Sequence, residues 1–263
     1  MWPNFRAVAL LTFLLLPGLC GAEELSIPGP NGGRLSVIAD FPVGKGPFPA
    51  IVLAPGMGYH MRLLVLAETA RALAAHGVAV FRFDWSYFTA KPQGQPSQDL
   101  SRELRDLQAV LAVARRHPKV DSKNVSVGGK SLGTLVAWRA FASDPSLRSG
   151  LFLTPLCGMV LKGETVPPEA RKNYPGFETE RRPMLFVTGS GDPLCAAPAL
   201  YQFAASGPGA GRVAIVEGDH GYEEPGLAPP AAEAALQRNL AAVAALAAAF
   251  VSDMAGERVH GKP

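Results

Sequence analysis

Between residues 34 and 218 the chain alternates short apolar runs with longer stretches in which apolar positions recur at helical spacing. RLSVIADFP (34–42) alternates apolar and polar residues, which predicts an exposed edge strand. FPAIVLAPGMG (48–58) is a continuous apolar run ending in glycines, as expected of a buried parallel strand entering a tight loop. VAVFRFDW (78–85), NVSVGG (124–129), GLFLTP (150–155), PMLFVTGS (183–190) and RVAIVEG (212–218) predict further strands. Helical spacing appears in LLVLAETARALAAHG (63–77), which stops at Gly77, and in SRELRDLQAVLAVARRH (101–117). The latter puts Leu104, Leu107, Val110, Leu111 and Ala114 on one face. More helices are predicted over 132–143, 197–206 and 231–254. Glu233, Gln237, Arg238 and Asn239 interrupt the last one, which reads as a packing helix and not a membrane span. Strands alternating with helices predict an α/β fold, a mostly parallel sheet with helices on both faces. Ligands of such sheets bind beyond the carboxyl ends of the strands. Two irregular stretches remain, 90–98 and 162–182, and the second is placed to cover a pocket.

The first 22 residues do not fit this pattern. Arg6 precedes the apolar run AVALLTFLLL (7–16), Pro17 and Gly18 break it, and CGA (20–22) supplies small residues. This predicts a secretory signal peptide cut after Ala22, leaving one domain over 23–263 and an exported, periplasmic or extracellular protein. The run is shorter than the about 20 apolar residues of a membrane span, which disfavours an uncleaved anchor. A lipoprotein signal at Cys20 is disfavoured by the bulky Leu19 before it. Loss of Arg6 takes the formal charge from +3 to +2, too little to imply a nucleic-acid partner. Export permits a disulfide. Cys157 and Cys195 follow neighbouring predicted strands, and a bridge or two separate buried thiols both remain open.

NVSVGGKSLGT (124–134) carries the chemistry. Its Gly-Lys-Ser suggests a phosphate-binding loop, but the leading glycine of Gly-x-x-x-x-Gly-Lys-Ser/Thr would fall on Asn124, and the residues between are strand formers. The same stretch holds Gly129-x-Ser131-x-Gly133, the frame of a nucleophile elbow. There the serine sits on a sharp strand-to-helix turn, and small residues two positions either side avoid clashes. Asp192 follows the strand 61 residues on, and His220 follows the next strand 28 residues further. The order Ser, Asp, His at three strand ends is that of a hydrolytic triad.

The stretches IVLAPGMGYHM, ALAAHGVAVFRFDW, VGGKSLG, LFLTPL, MLFVTGSGDP and EGDHGY resemble the α/β-hydrolase superfamily. More narrowly they resemble its small, cap-poor, dienelactone-hydrolase-like branch with a basic residue before the nucleophile. The resemblance implies an α/β-hydrolase fold without a large cap domain. It also implies catalysis by Ser131, Asp192 and His220, and an oxyanion hole from the amides of Leu132 and Met57. Two positions depart from the branch, Pro55 where histidine is common and Met57 where alanine is. The implied function is an exported serine hydrolase of small ester or thioester substrates, with no cofactor and no metal. Alternatives are a non-catalytic binding or scaffold protein on this fold, and a peptidase or carbon–carbon hydrolase using the same triad.

Around the site, Lys130 is expected to brace the elbow through a carboxylate, with Asp84 as a candidate, or to face an acidic substrate. His60 is either pocket-lining or solvated. Trp85, Tyr87 and Phe88 either line the acyl pocket or pack at its rim. His76 is expected at a helix end, and His117 and His260 at the surface.

Overall fold

The computed structural model describes residues 21–30, 32–90, 94–209 and 211–260, with side chains up to residue 255. The expected leader therefore lies outside the described residues, apart from Gly21 and Ala22. The strands are β1 (Gly21–Pro28), β2 (Arg34–Phe41), β3 (Phe48–Ala54), β4 (Ala79–Phe83), β5 (Val120–Lys130), β6 (Gly150–Leu153), β7 (Met184–Gly189) and β8 (Gly211–Val216). They form one sheet in the order β1-β2-β4-β3-β5-β6-β7-β8. β1 and β2 run antiparallel, as do β2 and β4, and every other pair is parallel.

The helices are α1 (Leu64–Ala75), α2 (Ser86–Ala90), α3 (Ser101–Arg116), α4 (Leu132–Ser143), α5 (Pro168–Asn173), α6 (Ala197–Ala205) and α7 (Ala231–His260). The period-2 alternation of the central strands divides their side chains between two cores. Ala50, Val52, Ala54, Phe152 and Phe186 face one core with α3, α4 and α6. Ile51, Leu53, Leu151, Leu153 and Val187 face the other with α1 and α7. This is why these strands read as unbroken apolar runs. The chain leaves β3 toward α1 on one face and leaves β5 toward α4 on the other. The crevice between neighbouring β3 and β5 is thus a topological switch point.

Three expectations need correction. β2 is not an edge strand: β1 pairs along all of it, from Gly21 opposite Phe41 to Pro28 opposite Arg34. The stretch 162–182 is not irregular throughout, and the cavity it lines, with Val166, Tyr174 and Phe177 in the wall, does not include Ser131. It forms α5 and a 3₁₀ turn (Phe177–Thr179) that sink Tyr174 and Phe177 into the core, against Trp138, Phe186 and Phe203 at centroid distances of 4.1–6.4 Å. His117 is not a free surface residue, because its ring stacks on Phe41 at 4.6 Å. The side chain of His260 lies outside the described residues.

Residues Ala231–Ala255 of α7 are long and apolar enough to cross a membrane, but half of that window is buried inside the fold. Leu240, Val243, Ala247 and Val251 fill the second core.

Candidate active site

β5 ends at Lys130 and α4 begins at Leu132, so one residue must turn the chain. Ser131 does so at φ 54°, ψ −123°, a conformation a non-glycine residue holds only when its surroundings over-determine it. They do here. The Ser131 N–H donates to Leu153 O (2.9 Å), and its carbonyl accepts from the Thr134 N–H (2.8 Å) and hydroxyl (2.6 Å). Glycine is required on both sides by close approach: a Cβ on Gly129 would meet Gly133 O at 2.3 Å, and one on Gly133 would meet Ala54 O at 2.3 Å. The turn lifts the Ser131 side chain above the end of the sheet.

His220 and Asp192 come to that hydroxyl from two other strand ends. His220 Nε2 lies 2.9 Å from Ser131 Oγ, and its Nδ1 lies 2.9 and 3.1 Å from the two Asp192 oxygens. The Asp192 carboxylate also accepts from the Leu194 N–H (2.8 Å) and the Thr188 hydroxyl (3.0 Å). Burial disfavours its charge, but the hydrogen bond and charge of His220, with these other donors, hold its pKa below the usual carboxylate range. It is an anion at neutral pH, placed to fix the imidazole tautomer with Nδ1 protonated. The loop carrying His220 is pinned as well. The Lys130 ammonium donates to the His220 carbonyl (3.1 Å), and the Tyr222 hydroxyl donates to Val187 O (3.1 Å).

The loop after β3 runs beside the elbow, since a Cβ on Gly56 would stand 3.3 Å from Ser131 Cβ. Among the described residues, the N–H groups of Met57 and Leu132 have no acceptor. Residues at the end of β4 hold this loop at three points. Trp85 Nε1 donates to Pro55 O (3.0 Å), the Gly58 N–H donates to the Tyr87 hydroxyl (3.4 Å), and the Met61 N–H donates to Asp84 (2.7 Å).

These contacts correct two expectations. Trp85 is fully buried, packed edge-on to Phe83, so it braces the loop and does not line an acyl pocket. Tyr87 is buried in the same way, while Phe88 is partly exposed. Asp84 is committed to the Met61 amide and is not the partner of Lys130. His60 is exposed and accepts from the Arg62 N–H (3.2 Å). His76 ends α1, with Nδ1 2.8 Å from Ala72 O. Cys157 and Cys195 are joined as a disulfide, Cα atoms 4.8 Å apart. Gly158 donates to Leu194 O beside it (2.9 Å), so the bridge ties the loop after β6 to the loop holding Asp192.

A family model described as an alpha/beta hydrolase domain matches residues 48–252. The chain belongs to the α/β-hydrolase family. Among curated proteins, this hydrolase is 39% identical over 89 residues to the quorum-quenching protein AidA of Acinetobacter baumannii, covering 32% of this chain and 28% of that one. It is 28% identical over 157 residues to the esterase FrsA of Salmonella typhi, covering 58% of this chain and 36% of that one. The hydrolase thus aligns with well under half the length of either relative. Among solved structures, an α/β serine hydrolase homologue from Coxiella burnetii superposes with a TM-score of 0.64 at 20% identity, covering 86% of this chain and 96% of that one. A lidless α/β serine hydrolase from Xanthomonas campestris superposes with a TM-score of 0.61 at 20% identity, covering 92% and 97%. At that identity the structural likeness speaks for the fold alone.

Proposed function

We propose that this hydrolase is a serine esterase acting on small ester or thioester substrates. The proposal rests above all on the hydroxyl–imidazole–carboxylate chain, with links of 2.9 Å on both sides of His220. His220 Nε2 takes the Ser131 proton as Oγ attacks the carbonyl carbon, and Asp192 stabilises the imidazolium that forms. The free amides of Met57 and Leu132 receive the oxyanion, and the positive end of α4 adds to the same field. The imidazolium then protonates the leaving alcohol or thiol. Water, deprotonated by His220, releases the acyl group from Ser131. The named esterase FrsA supports ester chemistry over other acyl transfers.

Export is part of the proposal. Arg6, the apolar run to Leu16 and the small residues at 20–22 support it, as does the disulfide, a bond that persists in oxidising compartments.

The test is labelling with a fluorophosphonate probe and turnover of short p-nitrophenyl esters by wild type and Ser131→Ala. The substitution should abolish labelling and lower kcat by on the order of 10⁴-fold or more. A folded wild-type protein that neither labels nor hydrolyses any ester of the panel overturns the proposal in favour of a binding protein on this fold.

A further inference from the structure

Lys130 has no role in the proton transfers above, yet its side chain is 1% exposed. Its ammonium donates to the His220 carbonyl and lies 4.8 Å from the centre of the Tyr59 ring. Those two contacts leave an ammonium proton without a partner. Among the described residues no carboxylate stands at ion-pair distance from it. The charges it feels most are Asp192 and Asp219. Asp192 is taken by His220, Leu194 and Thr188, and Asp219 Oδ1 accepts from the Gly221 and Glu223 amides. A buried cation without a counter-charge is costly.

Lys130 and Tyr59 line a cavity of about 150 Å³, which runs from the N-terminal turn of α1 to α7. Two features make this cavity receptive to an anion. Lys130 supplies a full positive charge. The α1 turn at Leu64 and Val65 has no side-chain cap and no acidic residue, so the positive end of the helix is unanswered. Leu63, Leu236 and Leu240 add an aliphatic part to the wall. Glu223 also lines it, is exposed, and carries no ion pair among the described residues. A second negative charge so close disfavours dianions such as phosphate. The volume equals that of roughly five waters, which limits the apolar part to a few carbons.

We propose that this cavity is a binding site for a short aliphatic monocarboxylate, its head on the Lys130 ammonium and the first turn of α1, its tail against Leu63, Leu236 and Leu240. The site goes beyond the esterase proposal and does not require Ser131 to be active.

The experiment is methyl NMR on leucine-labelled full chain titrated with pentanoate, with pentanol and inorganic phosphate as controls. Pentanoate should give saturable shifts in the millimolar range, at least tenfold tighter than either control. Lys130→Met should weaken it at least tenfold, and so should Leu240→Trp, which fills the cavity but keeps the ammonium. Burial lowers the Lys130 pKa to about 8. Tyr59, Asp192, Asp219, His220 and Glu223 are the titratable groups around it, and binding should weaken as pH rises from 7 to 9.5. Where the ester assay is active, pentanoate that raises KM alone identifies the acid as product or as the remote end of a substrate. A change in kcat identifies a separate effector. Both uphold the site. No saturable shift at tens of millimolar pentanoate, or equal binding of pentanol, overturns it.

Discussion

The buried ammonium makes a prediction about stability that needs no substrate. Desolvation moves the Lys130 pKa from 10.5 to about 8, and about 1.4 kcal/mol per unit makes the charged side chain a burden of about 3 kcal/mol at neutral pH. The folded pKa lies below the unfolded one, so the unfolded chain binds more protons between the two values. Stability therefore rises with pH across that window, and the burden is fully present only below about 8. Between pH 7.5 and 9.5 this one group should add about 2 kcal/mol to the unfolding free energy. The window stops at 9.5 for a reason. Burial raises the pKa of Tyr174 and Tyr222, so above that range they ionise only in the unfolded chain and pull stability back down. Lys130→Met removes the charge but also the bond to the His220 carbonyl, worth about 1 kcal/mol. The variant should be about 1–2 kcal/mol more stable than wild type at pH 7.5 and close to it at 9.5. Urea unfolding of both proteins at pH 7.5, 8.5 and 9.5 measures this. Parallel pH dependence in the two proteins would refute the assignment of the charge to this position.

Three further outcomes follow from the loops. Replacing both Cys157 and Cys195 by serine removes a closure of 38 residues and should cost about 4 kcal/mol in the chain-entropy model. It should also lower kcat more than it raises KM, because Leu194, whose amide holds Asp192, adjoins the bridge; chemical denaturation and ester kinetics read the two effects. Trp85→Phe keeps the core packing but frees Pro55 O, so a stability loss of about 1 kcal/mol should accompany a fall in kcat with intact probe access to Ser131. Gly133→Ala forces a methyl to 2.3 Å from Ala54 O and should destabilise the fold by more than about 3 kcal/mol, seen as a drop in Tm.

The strands β3, β5, β6 and β7 were legible because each is buried on both faces and reads as an apolar run. The three strand-end residues Ser131, Asp192 and His220 were legible for the same reason: strand ends locate themselves once the runs are known. β1 was not legible, because its residues are mostly exposed and GAEELSIP abuts a leader-like segment. α5 and the 3₁₀ turn were hidden in a Pro-, Gly- and charge-rich stretch, where Tyr174 and Phe177 stand as isolated aromatics without a period. The Lys130 partner was misjudged because Asp84 also ends a strand. In the sheet, β3 separates β4 from β5, and that order depends on non-local pairing. Trp85 stayed open between pocket and packing because the acceptor of its indole N–H, Pro55 O, lies 30 residues away.

The same non-local contacts explain why this fold keeps an ion pair in its interior. Arg82 on β4 pairs with Asp40 on β2 at 2.9 Å, and both side chains are largely buried. Such a pair contributes little net stability, and an apolar pair of similar volume often does as well. Arg82, however, has a donor to spare, and Nη1 gives it to the Met61 carbonyl at 2.7 Å. Asp84, two residues on, accepts the N–H of that same Met61. One strand end thus grips one residue of the neighbouring loop by both its backbone polar groups, while Trp85, the next residue along, grips Pro55. Asp40 neutralises the cation that makes this grip affordable in a dry interior. An apolar replacement at Arg82 and Asp40 would keep the sheet but remove one of the bonds that hold the loop carrying the free Met57 amide. The charge pair is therefore explained by where it holds the backbone and not by what it adds to the folding free energy.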